Sequence, residues 1–182
     1  MSNESVFINR LLLTALSAVL LYGQPAIAES SEIKFNGTLV AEPCTITDST
    51  NIEVDFGTIP AKNFYSIYSS RTWSEKFQIT LEECDLTLGR EVKITFIGAE
   101  DSEQPGLLAV NGNGVKHIAV GLEYSNGTPL PLNQQSGAYS LQSGTTELGF
   151  MAYIQASDSG VRNKEVGFGT FNAVATFALE YP

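Results

Sequence analysis

The sequence predicts an all-β sandwich of two antiparallel sheets. Nearly every apolar run alternates with period two, the runs are bounded by Gly, Pro, Asn, Asp or Ser, and no stretch of about 11 residues keeps a helical period. In chain order the strands fall at residues 33–46, 52–59, 76–84, 91–97, 117–124, 147–156 and 168–181, a spacing that suits a sandwich. Turn-rich connections separate them at 98–106, 111–114, 125–128 and 133–144, where Asn-Gly and Ser-Gly clusters supply the required backbone freedom. The Tyr- and Ser-rich stretch 63–71 fits either a short helix or an irregular turn. No internal repeat or low-complexity tract interrupts the pattern.

The first 28 residues stand apart. An apolar run of 12 residues, 11–22, comes after Arg10 and ends in Ala26-Ile27-Ala28, the small-residue pattern of a cleavable secretory signal. A bilayer-spanning helix needs about 20 apolar residues, so a membrane anchor is the weaker reading. The exported part, residues 29–182, is about 150 residues long, enough to bury one core but hardly two. The net charge of −10 is unchanged when Glu4 and Arg10 leave with the signal. No basic cluster offers itself to nucleic acid.

Cys44 and Cys84 are the only cysteines, and both lie in the exported part. An even count in an oxidising compartment reads as one disulfide, which should stabilise the fold by roughly 4 kcal/mol on the chain-entropy model. A zinc site would have to be completed by scattered carboxylates, because the chain has a single histidine, His117. No metal or cofactor is therefore expected.

The two ends carry the unusual pattern. Phe171, Ala173, Ala175, Phe177, Leu179 and Tyr181 share one face of a strand that runs almost to the last residue. Near the start of the exported part Ile33, Phe35, Gly37 and Leu39 share a face in the same way. Apolar edges of this kind invite pairing with another chain. Periodicity alone leaves open whether the two ends pair within one molecule or between molecules.

These residues resemble the chaperone-usher fimbrial subunits of Gram-negative bacteria, in appearance closest to the minor tip and adaptor subunits of type 1 and P pili. Three features carry the resemblance, which covers the whole exported chain. The run Asn36-Gly37-Thr38-Leu39-Val40-Ala41-Glu42-Pro43-Cys44 is similar to the junction between an N-terminal extension and a first strand. Cys84 ends an alternating strand, as the partner cysteine does in the family. At the C-terminus Tyr181 is penultimate and Gly169 is fourteenth from the end, with alternating apolar positions between them.

The resemblance implies an incomplete immunoglobulin-like sandwich that lacks its last strand and is completed by a donated one. Donor-strand complementation of pilins is a known case of strand addition. Residues 1–28 are then a signal peptide, 29–40 a donor extension and 41–182 the pilin domain. Ser31, Ile33, Phe35, Gly37 and Leu39 would enter a neighbour's groove, each apolar burial worth about 1.5–3 kcal/mol. Gly169, Phe171, Ala173, Ala175, Phe177, Leu179 and Tyr181 would border the receiving groove and meet the chaperone. The implied partners are a periplasmic pilus chaperone, an outer-membrane usher and neighbouring subunits, with a route through the periplasm to an extracellular fimbria. The chain departs from the family in two places: Ser31 is polar at an inward-facing position, and Pro182 has no backbone N–H to donate.

Other readings compete with this one. Asn36-Gly37 would also suit a hairpin turn, although the apolar alternation continues in phase on both sides of it. Catalysis finds little support, because His117 has no nucleophile elbow or metal-ligand cluster beside it. A small receptor- or glycan-binding module could use Tyr65, Tyr68 and Trp73, but aromatic residues of this kind are more often core packing. The position in a fibre, whether tip, adaptor, rod or terminator, is not readable from the residues.

Overall fold

Alternating apolar residues form strands only where a neighbour completes their hydrogen bonds, and a computed structural model shows which runs have one. It describes residues 34, 36–37, 41–46, 51–66 and 69–182. Contacts divide the chain into units Met1–Leu39 and Val40–Pro182, and the sandwich lies in the second. The strands are β1 (Glu75–Cys84), β2 (Glu91–Ile97), β3 (Leu108–Ala109), β4 (Ile118–Tyr124), β5 (Tyr139–Ser140), β6 (Gly144–Ala156) and β7 (Thr176–Glu180). All pair antiparallel, in a four-stranded sheet ordered β1-β6-β4-β3 and a three-stranded sheet ordered β5-β2-β7.

The core forms where the inward faces of β6 and β2 meet. Leu148, Phe150, Ala152, Ile154 and Ala156 on β6 are buried, as are Val92, Ile94 and Phe96 on β2. Phe96 and Phe150 meet edge to face, with ring centroids 5.1 Å apart, a favoured aromatic geometry. Both strands have a partner on each side, and their apolar alternation therefore ends in nearly complete burial.

Three expectations need correction, and one element is unexpected. Residues 52–59 form no strand: among the described residues the segment makes no backbone–backbone hydrogen bond, and its alternation has no ladder to join. Of 33–46 only 41–46 is described continuously, and there a single bridge, Thr45 with Glu82, replaces a strand. The C-terminal strand is shorter than 168–181, because its first half pairs only at Asn172 with Asn111. A helix, α1 (Asp158–Asn163), comes after β6, where Ser157 caps it by accepting the Gly160 N–H at 3.2 Å.

The aromatic residues also divide differently from expectation. At the start of the Tyr- and Ser-rich stretch, a 3-10 turn (Ala61–Tyr65) buries Phe64. Tyr65 is half-buried, and its hydroxyl accepts the Val166 N–H at 3.3 Å. Tyr68 lies outside the described residues. Trp73 is 92% exposed and contributes nothing to the core. The signal-peptide expectation for 1–28 also lies outside the described residues.

Candidate functional site

The open edge of the three-stranded sheet is the candidate site. β7 pairs with β2 from Lys93↔Glu180 to Ile97↔Thr176, and among the described residues no strand lies on its other side. Phe171, Ala173, Ala175, Phe177, Leu179 and Tyr181 all turn toward the core and all remain only half-buried. Between them Asn172, Val174, Thr176, Ala178 and Glu180 are exposed. A row of apolar side chains beside unpaired backbone N–H and C=O groups can receive one more strand. Burial pushes the Tyr181 phenol up, and the nearby Glu42 carboxylate acts in the same direction.

A backbone clasp holds the entry to this row. Asn111 and Asn172 exchange N–H···O bonds of 2.8 and 2.9 Å, and the Gly167 N–H donates to Lys116 O at 3.1 Å. At this approach a side chain has no room: a Cβ on Gly167 would sit 2.1 Å from Gly114 O, and one on Gly169 2.4 Å from Asn113 O. Gly169 also has φ +147°, in the region that favours glycine. The structure thus places Gly169 in the clasp, while the other six residues of the C-terminal pattern share one face.

A second stretch, without a strand partner among the described residues and with the sequence pattern of an ordinary strand, carries the same half-burial. Val54, Phe56 and Ile59 pack against the core from a segment without a ladder. Upstream, residues 43–45 are tied to the end of β1. Thr45 and Glu82 exchange two 2.8 Å backbone bonds, the Asp85 N–H donates to Pro43 O at 2.7 Å, and Cys44 is disulfide-bonded to Cys84. Of the proposed donor residues, Ser31, Ile33, Phe35 and Leu39 lie outside the described residues. Gly37 is described, and a Cβ there would meet nothing within 4 Å.

His117 belongs to a separate cluster. Its Nδ1 lies 3.0 Å from a Glu103 carboxylate oxygen, and the Ser159 hydroxyl donates to the same carboxylate. Ser157 and Ser159 also approach Nδ1, at 3.5 and 3.4 Å, while Nε2 faces Glu165 at 4.0 Å. Hydrogen bonds from Ser157, Ser159 and His117 hold the Glu103 carboxyl down to about 2. A serine relay needs the hydroxyl and the carboxylate on opposite ring nitrogens. Here both serines share Nδ1 with Glu103, and the carboxylate on the opposite side, Glu165, stands 4.0 Å from Nε2, beyond hydrogen-bond distance; the cluster ties together the 98–106 loop, the start of β4 and α1.

The family model for fimbrial proteins matches residues 33–182. A putative minor fimbrial subunit of Proteus mirabilis, PmfF, is 31% identical over 181 residues, covering 95% of this chain and 98% of that protein. The fimbrial adapter PapK of Escherichia coli is 34% identical over 177 residues, covering 94% and 95%. Among solved structures, the P pilus rod subunit PapA superposes with a TM-score of 0.65 at 25% identity, covering 78% of this chain and all of that one. A subunit from a chaperone-usher pilus solved to explain rod uncoiling gives 0.63 at 26% identity, covering 87% and 100%.

Proposed function

Because this chain belongs to the fimbrial protein family and is a structural subunit of a chaperone-usher fimbria, we propose that its open β7 edge receives a strand donated by another chain. The observation that carries this reading is the uniform half-burial of the six inward residues from Phe171 to Tyr181. A strand laid along β7 would satisfy its free backbone and cover that row. The extended, ladder-free 51–59 segment, with Val54 and Phe56 half-buried, supports the same reading.

The rest of the reading comes from the family. Residues 1–28 are a signal peptide, 29–40 a donor extension and 41–182 the pilin domain. A periplasmic chaperone lends the first strand, and the usher exchanges it for the extension of the next subunit. Ser31, Ile33, Phe35, Gly37 and Leu39 play the donor's part in turn, with Gly37 where a side chain would crowd the acceptor. Similarity to an adapter and to a putative minor subunit supports a minor tip or adaptor position.

The test is exchange in vitro. A peptide of residues 29–40 added to a chaperone-bound neighbouring subunit should displace the chaperone, while a chain lacking residues 29–36 should still accept a donor but fail to enter its neighbour. Phe177→Ser combined with Tyr181→Ser should abolish recovery of the chaperone complex. A stable, monomeric double mutant, or normal polymerisation of the truncated chain, would refute the reading.

A further inference from the structure

The free backbone of β7 can be assigned residue by residue. The Ile94 N–H donates to the Ser136 hydroxyl at 2.9 Å, Ile94 O accepts the Ser136 N–H at 2.8 Å, and Phe96 O accepts the Asn133 N–H at 2.7 Å. Ile94 and Phe96 therefore turn their polar groups away from β7, and Lys93, Thr95 and Ile97 supply the ladder to Glu180, Ala178 and Thr176. Phe177 and Leu179 are left with N–H and C=O groups pointing out of the sheet edge. The same residues turn their side chains inward, so a strand added here follows the inward row.

Every strand pairing in both sheets is antiparallel, and a strand added to β7 in that sense has its C-terminal end beside Phe171. Residues 29–40 and 171–181 are nearly equal in length, about 35 Å as strands. A donor of residues 29–40 thus has no spare chain where it leaves the row. Cys44 follows four residues later, at most about 14 Å away, and there the donor is fastened to its own β1. The donor's folded body is held against the clasp.

The two ends of the row differ in charge. At the Tyr181 end Glu42 acts on the phenol, Thr45 ties the Cys44 segment to Glu82 and Glu83, and the Asp85 N–H donates to Pro43 O. Among the described residues none of these four carboxylates is in an ion pair, and the cation beside them is Arg90, next to the Gly89 that packs on Pro43. At the clasp end Lys116 is exposed and in no ion pair, while Glu103 and Glu165 face His117. Phe168 belongs to the same surface: the glycines on either side of it pack on Lys116 and Asn113, and its carbonyl would meet a Cβ on Gly114 at 2.8 Å. Phe168 is nevertheless 76% exposed.

We propose that the clasp seats the Cys44 end of the subunit whose strand fills the groove, a second copy of this chain, with Phe168 covered by it and Lys116 facing its Glu42, Glu82, Glu83 and Asp85. This seat depends on strand donation to β7. A parallel strand would leave at the Tyr181 end instead and bring two acidic ends together, which like charge opposes.

The test separates the seat from the groove. Chaperone-bound full chain, half of it labelled with heavy nitrogen, is left to polymerise and then treated with a carbodiimide, which joins a lysine to a carboxylate in direct contact. Mixed-isotope peptides linking Lys116 to residue 42, 82, 83 or 85 of the other copy are expected, and none when the groove is filled by the 29–40 peptide alone. Lys116→Gln and Phe168→Ser should each slow addition of the whole chain several-fold and leave entry of the peptide unchanged. The Lys116→Gln effect should fade at molar salt, and the Phe168→Ser effect should persist. No link from Lys116 to the other copy, or variants that slow peptide and whole chain alike, would overturn the seat while strand donation stands. A peptide that fails to enter the parent chain would overturn donation between copies, and the seat with it.

Discussion

β6 and β7 carry the same pattern with opposite results. Each alternates apolar and polar residues, and each turns its apolar face toward the same core. On β6 the inward residues from Leu148 to Ala156 are 0–3% exposed, whereas on the C-terminal row every inward residue from Phe171 to Tyr181 stays half-buried. The difference is a neighbour: β6 lies between β1 and β4, and among the described residues β7 has β2 alone. Burial thus depends on what flanks a strand as much as on what the strand contains.

The sharpest test of that contrast truncates an aromatic residue on each strand. Phe150→Ala should cost about 3–5 kcal/mol in urea unfolding, whether or not the groove is filled. Phe177→Ala should cost only about 1–2 kcal/mol with the groove empty and more once a donor peptide covers it. Equal costs in both states would show that β7 is already as well covered as β6.

Gly169→Val probes the clasp instead of the groove. The added side chain would collide with Asn113 O and occupy a φ of +147°, a cost of about 1–3 kcal/mol or more. Unfolding should show the same loss with and without a donor peptide, because the clasp precedes the open row. A loss that disappears on complementation would place Gly169 in the groove itself.

A smaller effect should come from Glu103, far from either strand's inward face. Its folded carboxyl titrates at about 2, below the ordinary range, through hydrogen bonds from Ser157, Ser159 and His117. Its stabilisation is therefore complete above about pH 4.3 and is lost as the pH falls toward 2. The thermal midpoint of Glu103→Gln should lie below that of the parent at neutral pH and converge with it across that window. A gap that persists at pH 2 would refute the assignment.

The long ladder strands are the most legible in the sequence. β2 occupies the expected 91–97, β1 and β4 depart from expectation by one residue at an end, and β6 by three. Residues 52–59 have the pattern of a strand but no strand partner among the described residues, and the pattern of a segment does not state whether a partner lies beside it. The C-terminal strand is shorter than the expected 168–181 because Gly167 and Gly169 commit its start to the clasp, a contact with residues some 50 positions away. α1 is six residues long, too short to show a helical period, and its local signals are the Ser157 cap, Asp158 in the first turn and Arg162 in the last. Trp73 departs from the packing expectation: it is 92% exposed and lies just before β1, outside the ladder that would bury it. The groove is legible as a row of alternating residues, and its half-burial is not.

The Cys44–Cys84 bond has a mechanical meaning as well as a thermodynamic one. A pull applied at the N-terminal side of Cys44 passes through sulfur directly into the end of β1, whose ladder with β6 runs from Glu75 to Leu81 in one register and resumes at Cys84 after a shift. The intervening chain, with a sequence separation of 40, is out of the load path. Drawn straight, that length would add about 130 Å of slack. A subunit built this way transmits tension through a short covalent shortcut, and the ladder-free 51–59 segment is shielded from being pulled out of its place in the wall.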